Sequence, residues 1–152
     1  MLDVGDRLPD LTLPDHTGAD VSLADIGKAV VFFYPKAMTP GCTAEACDFR
    51  DRYERLQSEG YTVVGVSPDP PSLNARFVEK EGLTYRLLSD EDHAFAEAVG
   101  AWGEKKNYGK VYEGLIRSTV VTDDEGTIAL VFRNVRAKGH AARIARELGL
   151  EE

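Results

Sequence analysis

Runs of apolar residues alternate with amphipathic stretches along this chain, and their order predicts its elements. Residues 1–28 are mostly polar. Short extended pieces at 11–13 and 21–23 flank the turn-like His16-Thr17-Gly18, which predicts a small hairpin. Residues 29–34 form an unbroken apolar, β-rich run, the mark of a strand covered on both faces. Over residues 40–59, Cys42, Ala46, Phe49, Tyr53 and Leu56 recur at intervals of three and four, which predicts a helix with Gly60 at its left-handed cap. Residues 61–67 read as the next buried strand, giving a strand–helix–strand unit with a right-handed parallel crossover. Past Pro68-Asp69-Pro70-Pro71, a helix is expected from Ser72 to about Gly82, then a strand at 85–88 and a helix over 90–99 with an acidic first turn. From 100 to 114 the pattern disappears, which predicts a long ordered loop. Residues 117–122 and 127–134 flank Asp123-Asp124-Glu125-Gly126 as a hairpin, and a last helix runs from about Gly139 to Leu148. No repeat or linker interrupts this order. It predicts one α/β domain over residues 1–152, with a mixed sheet and helices on both faces.

The bulk numbers narrow the function. A chain of 152 residues suits one domain with a real core. Its formal charge of −8 argues against wide nucleic-acid contact, which needs a basic face. The N-terminal MLDVGDRLPD lacks a basic region followed by an apolar core, and no apolar run approaches the ~20 residues of a membrane helix. The expectation is a cytoplasmic protein in which a transient disulfide is favoured over a persistent one.

Chemistry concentrates in FFYPKAMTPGCTAEACDFRD, residues 32–51. With Thr39 capping and Pro40 as the first helical residue, Cys42 falls in the first turn of the helix. Unpaired N–H groups and the positive end of the helix dipole favour an anion there, so this thiol is placed to ionise. The dipole supplies only about 0.3–1 kcal/mol, so a cation is needed as well. Arg117 is the strongest choice, a charged residue at the start of an otherwise buried strand. Thr39 can also offer its hydroxyl to the thiolate or to a bound peroxide.

Cys47, the other cysteine, lies five positions on. Five helical residues rotate a side chain by about 140° and separate the Cα atoms by roughly 8.6 Å. A disulfide needs about 7 Å or less. The pair therefore bonds only if the start of the helix unwinds. That suits a stepwise cycle: a Cys42 thiolate attacks an electrophile such as a peroxide oxygen and becomes a sulfenic acid, the helix opens, Cys47 attacks, and a dithiol restores both thiols. Plainer readings stand beside it, with Cys42 a small buried hydrophobe and Cys47 a surface thiol. A disulfide oxidoreductase would use cysteines two residues apart, which is not the spacing here. A redox-responsive binding protein would need an appended domain or basic stripe, and neither is visible. His16, His93 and His140 are scattered at no ligand spacing and read as solvated side chains, so no metal is expected. Lys105, Lys106 and Lys110 form a basic cluster that reads as a solvated loop face ahead of a docking patch. Trp102, Tyr108 and Tyr112 either wall the site or pack in the core. Glu45 reads as an ordinary early-helix acid, though close enough to affect the site, and no phosphate-cradling glycine spacing is present.

The stretch FFYPKAMTPGCTAEACDFRD strongly resembles the active-site segment of the Q-type peroxiredoxins, also called bacterioferritin comigratory proteins. WGEKKNYGKVYEGLIRSTVVTDDEG, residues 102–126, and the opening GDRLPDLTLPDHTG are similar to further stretches of that family, so the likeness spans nearly the whole chain. Asn107-Tyr108 stands where relatives often carry bulkier apolar residues. The resemblance implies a thioredoxin-like fold, with a central mixed sheet flanked by helices and an N-terminal β-hairpin. It implies a thiol-dependent peroxidase of the atypical two-cysteine kind, acting on hydrogen peroxide and organic hydroperoxides. Carried over residue by residue, Cys42 is peroxidatic and Cys47 resolving, Thr39 and Arg117 complete the peroxide pocket, and Pro40 shields the nucleophile. Thioredoxin is the expected reductant and glutaredoxin an alternative. No cofactor is implied, and resolution within one chain suits a monomer.

Overall fold

The computed structural model describes residues 1–150, save the side chain at position 107. Its centre is β3 (Ala29–Phe33), whose residues are buried without exception. Period-two alternation splits them between two cores. Ala29, Val31 and Phe33 enter one apolar cluster with Leu13, Leu23, Val64, Phe95 and Leu115. Val30 and Phe32, with Tyr34 beyond the strand, enter the other with Cys42, Phe49, Leu56, Phe77 and Ile144. This is the two-faced burial that a continuous apolar run implies.

Around β3 the chain builds a five-stranded mixed sheet. β4 (Thr62–Ser67) lies parallel to it, and β5 (Arg86–Ser89) lies parallel to β4. On the other side β8 (Ser118–Thr122) and β9 (Ile128–Phe132) run antiparallel, giving the order β5-β4-β3-β8-β9. Two further hairpins lie outside the sheet. The leading one pairs β1 (Thr12–Pro14) with β2 (Asp20–Ser22), as expected. The other, β6 (Trp102–Asn107) with β7 (Lys110–Leu115), replaces the expected loop over 100–114. Its pattern was invisible because the ribbon largely lacks a buried face: Lys106 opposes Val111, and both are exposed. A tight turn closes it, with φ 51° at Tyr108 and 78° at Gly109, the left-handed pair that two-residue hairpins require.

Helices α1 (Pro40–Ser58), α2 (Pro71–Glu81) and α4 (His140–Glu147) contribute to the Phe32 side, and α3 (Ala94–Ala98) contributes to the Phe33 side. The expected helix over 90–99 is thus shortened. Asp90 is buried and accepts the N–H groups of Phe95 and Ala96 at 3.1 and 2.9 Å, while His93 takes φ 51°. The carboxylate satisfies the start of α3 from outside it, so residues 90–93 form a turn. Gly82 caps α2 in the left-handed conformation, and Gly60 follows α1 at φ +87°.

Under the connector to α1 lies a buried polar cluster. Tyr34 donates its hydroxyl to Asn74 Oδ1 at 2.6 Å, Asn74 Nδ2 donates to Ser89, and Ser67 donates to Asn74. Next to it Asp69 accepts the Ala37 N–H at 2.7 Å, tying the connector to the end of β4. Asn74 of α2 thus ties together Tyr34 and the ends of β4 and β5, and Asp69 holds the connector that leads into α1.

Gly65, in the middle of β4, allows the aromatic layer to close over it. A Cβ there would meet Leu87 Cδ2 at 2.6 Å, Phe32 Cζ at 3.0 Å and Tyr34 Cε1 at 3.1 Å. Gly65→Ala is expected to destabilise the fold by about 1–3 kcal/mol. The check is urea unfolding: the midpoint should fall at unchanged m-value, and an unmoved midpoint would show that this layer has slack.

Candidate active site

Thr39 begins α1 with extended backbone (φ −79°, ψ 155°), Pro40 is the first helical residue, and Cys42 is the third. The residue before Thr39 is conformationally costly, since Met38 holds φ +65° without being glycine. Thr39 corrects one expectation. Its side chain makes no capping bond, and its hydroxyl donates to the Lys36 carbonyl at 2.9 Å. The helix start is organised by backbone instead, with the Thr43 N–H donated to the Thr39 carbonyl. Pro40 is exposed and Thr39 half-buried, while Cys42 has no exposed surface.

Arg117 immediately precedes β8 and reaches back to α1. Its Nη2 donates to Cys42 Sγ at 3.1 Å, and its Nη1 donates to Glu45 Oε1 at 2.5 Å. One guanidinium thus bridges sulfur and carboxylate, with only 15% of its side chain exposed and none of Glu45's. Glu45 is the functional-site residue that sequence reasoning undervalued. It stands three residues after Cys42, on the same face of the helix, and a carboxylate on that otherwise apolar stripe called for a buried cation. Burial pushes the Glu45 carboxyl up to about 7, with Arg117 pulling against it, and Glu45 Oε2 has no protein partner. Burial works against the Arg117 charge, but Glu45 and Cys42 beside it raise its pKa on balance.

Lys105 also departs from its expected solvated place. Its Nζ donates to the Leu115 carbonyl at 2.9 Å, and burial together with the nearby Arg117 lowers its pKa. Lys106 and Lys110 are exposed. Trp102 packs against the core and stacks on His93 at 3.8 Å. Tyr108 and Tyr112 are exposed, so neither packs in the core, and the side chain of Asn107 lies outside the described atoms.

Nor is His140 a solvated histidine. It is buried edge-on to Phe49 and Phe132, with Nε2 2.7 Å from the Thr119 hydroxyl and Nδ1 unpartnered. Burial, with Arg143 and Arg117 adding to it, lowers its pKa to about 4. Among the described residues no group of three or more His, Cys, Asp or Glu is arranged to hold a metal. No helix among them is long and apolar enough to cross a membrane.

Cys47 is half-buried on the next turns of α1, and its thiol donates to Glu81 Oε2 at 3.5 Å. Both cysteines are free, and α1 runs unbroken past both of them. The site therefore combines one buried thiol held by a cation at a helix start with a second thiol on the same helix. Such an arrangement can carry out nucleophilic attack by sulfur followed by thiol exchange.

Comparison with known proteins agrees with that chemistry. Residues 4–131 match the AhpC/TSA family. The chain is 45% identical over 141 residues to peroxiredoxin Bcp of Escherichia coli, covering 91% of this chain and 90% of that one. It is 44% identical over 149 residues to peroxiredoxin Bcp of Bacillus subtilis, covering 97% and 95%. A bacterioferritin comigratory protein from Xanthomonas campestris, solved for insight into alkyl peroxide reduction, superposes with a TM-score of 0.88 at 33% identity, covering 97% of this chain and 98% of that one.

Two buried titrations, at Glu45 and His140, oppose each other. Glu45 binds its proton more tightly in the folded chain, so its stabilising contribution is present below about 4.5 and is lost as pH rises through about 7. His140 is the reverse, with a contribution present above 6.5 and lost as pH falls through about 4. Removing the first should unmask the second. Stability of Glu45→Gln is expected to rise more steeply than that of the parent between about pH 5 and 7, measured by urea unfolding across that range. Parallel slopes would show that Glu45 does not titrate there.

Proposed function

Since the chain belongs to the AhpC/TSA family, as a thioredoxin-like thiol peroxidase of the Bcp or Q-type peroxiredoxin group, we propose that Cys42 is its peroxidatic cysteine and Cys47 its resolving one. The observation that carries this reading is the 3.1 Å contact from Arg117 Nη2 to Cys42 Sγ at the start of α1. A guanidinium at that distance stabilises a sulfur anion and remains in place for the negative charge that develops on the departing oxygen. The Cys42 thiolate attacks the terminal peroxide oxygen, the O–O bond breaks, and the alkoxide or hydroxide leaves and takes up a proton. Sulfur loses two electrons and becomes a sulfenic acid.

Pro40 is the first residue of α1 and Thr39 precedes it, and we assign both to the peroxide pocket. With its hydroxyl turned to Lys36, Thr39 serves the pocket through its backbone unless the side chain rotates on peroxide binding. Resolution follows within the chain: α1 unwinds at its start, Cys47 attacks the sulfenic sulfur, and water leaves as the disulfide forms. Thioredoxin supplies the two electrons that restore both thiols, with glutaredoxin as the alternative dithiol. Resolution within one chain needs no second subunit, which favours a monomer. The reading places the protein in the cytoplasm, where reduced thiols are the expected resting state of both cysteines. The substrates include hydrogen peroxide and organic hydroperoxides, the latter suggested by the alkyl peroxide activity of the Xanthomonas relative.

Intact mass and non-reducing peptide maps after stoichiometric hydrogen peroxide test the cycle. The parent should lose two hydrogens and yield a peptide linked through Cys42 and Cys47. Cys47→Ser should stop one oxygen heavier, trapped by a sulfenic-acid reagent. If Cys42→Ser consumes peroxide with thioredoxin as fast as the parent, the nucleophile is wrongly assigned.

Arg117→Ala is expected to slow peroxide attack by about 10²-fold, the usual loss on removing one preorganised donor. It also strands the buried Glu45 carboxylate, so Arg117→Lys is the companion variant. Lysine keeps the charge but cannot serve sulfur and carboxylate in one plane, and an intermediate rate is expected. Single-turnover rates with intact mass as the readout decide this, and parent-like rates in both variants would remove Arg117 from the reaction.

A further inference from the structure

Cys47 lies on a seam where the middle of α1 is fastened to the far end of α2. The Tyr85 hydroxyl, just ahead of β5, donates to the Ala46 carbonyl at 2.6 Å. Arg50 Nη1 donates to the Glu81 carbonyl at 2.6 Å. Between these two contacts, the Cys47 thiol donates to Glu81 Oε2. Glu81 is the last residue of α2, and its position is set by the left-handed Gly82 cap, whose N–H is donated to the Val78 carbonyl. One residue thus holds α1 through both its backbone and its side chain.

We propose that Glu81 is a positioning residue that keeps Cys47 in reserve, its carboxylate accepting the thiol hydrogen until unwinding of α1 carries the sulfur away. The inference rests on the two-cysteine reading above. In the resolving step Cys47 gives up its proton, its sulfur forms the S–S bond with Cys42, the Cys42 S–O bond breaks, and the released hydroxide combines with a proton as water. Only the thiolate makes that attack. A carboxylate against the thiol opposes its formation, and the intact seam keeps the sulfur on the side of α1 that faces Glu81. The groups acting on Cys47 are Arg50 and Asp51 on its own helix, Glu81 from α2, and Tyr85 ahead of β5. Burial is the largest influence and raises the Cys47 pKa; Arg50 opposes it, while Glu81 and Asp51 add to it. The consequence is a division of labour: the sulfur beside Arg117 meets peroxide, and the sulfur beside Glu81 is protected from it. Losing the helix start removes that protection at the moment the second thiol is needed.

Glu81→Gln is the test, because it keeps size and an acceptor oxygen, leaves the Arg50 contact to the backbone intact, and removes only the charge. The first readout is the iodoacetamide rate of Cys47 against pH in a Cys42→Ser background. The second is closure of the Cys42–Cys47 bond after a peroxide pulse with Cys42 present. The profile for Glu81→Gln should move to lower pH, with the alkylation rate near neutrality rising about two- to threefold. Bond closure should quicken by a similar factor, and Glu81→Asp should stay nearer the parent. A purely structural Glu81 would change closure without moving the pH profile. If the parent forms the bond and the Glu81→Gln alkylation profile superimposes on the parent's, the inference fails alone. If the oxidised parent never links Cys42 to Cys47, the two-cysteine reading fails and takes the inference with it.

Discussion

The guanidinium of Arg117, shared between the Cys42 sulfur and the Glu45 carboxylate, is the interaction around which the rest is arranged. Ionised groups this deeply buried are costly alone. Two unit charges about 4 Å apart attract by roughly 1 kcal/mol in water and by about 4 kcal/mol at an effective dielectric near 20, so exclusion of water makes the pairing strong enough to matter. It also makes the pairing unforgiving. Taking away one member leaves a charge stranded, a loss of about 3–5 kcal/mol in comparable buried pairs. The fold must therefore bring two distant segments together: the first turn of α1 and the residue just before β8. The antiparallel pairing of β3 with β8, which sets Phe33 opposite Ser118, delivers Arg117 to the end of the sheet where α1 begins.

Several buried contacts fix that junction. β3 ends where Pro35 breaks the run, the connector is pinned when Asp69 accepts the Ala37 N–H, and Met38 takes the left-handed turn that aims the chain into α1. A left-handed non-glycine residue stores on the order of 1–3 kcal/mol, which is retained only while the neighbouring contacts hold. The strain lies at the end of α1 that the proposed cycle requires to open. Phe49, stacked on Phe32 and buried two residues past Cys47, anchors the helix beyond the two cysteines.

What was legible in the sequence follows from what each position buries. The β3 run and the Cys42–Leu56 stripe announced themselves because strand and helix periods are written in apolar residues that must face a core. Arg117 was legible by contrast, a charge where a buried strand should start. Glu45 was not, because a glutamate early in a helix usually needs no explanation; only its spacing from Cys42 gave it away. The β6–β7 ribbon left no pattern because it is held by backbone pairing and a left-handed turn, with little core of its own. Asp90 shortened α3 for a related reason, since a buried carboxylate capping from outside the helix leaves no mark on periodicity. Lys105 and His140 were misjudged as solvated because composition cannot show which polar groups the topology folds inward.

The spacing of the two cysteines turns these observations into one mechanical argument. Had they been two residues apart, a disulfide could form with the helix nearly intact, and the seam against Glu81 would be irrelevant to chemistry. Five residues apart on a continuous helix, each thiol can occupy its own environment: Cys42 against a cation, Cys47 against an anion. The same helical backbone that keeps them apart permits this difference. On the proposed cycle, bonding them requires the helix start to be lost, and that loss removes both environments together. It dissolves the N-terminal dipole at Cys42 and lifts Cys47 off Glu81, so stability of the reduced fold and rate of resolution are set by the same few contacts. On the same proposal, tightening the seam at Ala46, Cys47 and Arg50 slows resolution, and loosening it exposes the second sulfur early. In that reading the balance lies where the first turns of α1 meet the seam at Ala46, Cys47 and Arg50.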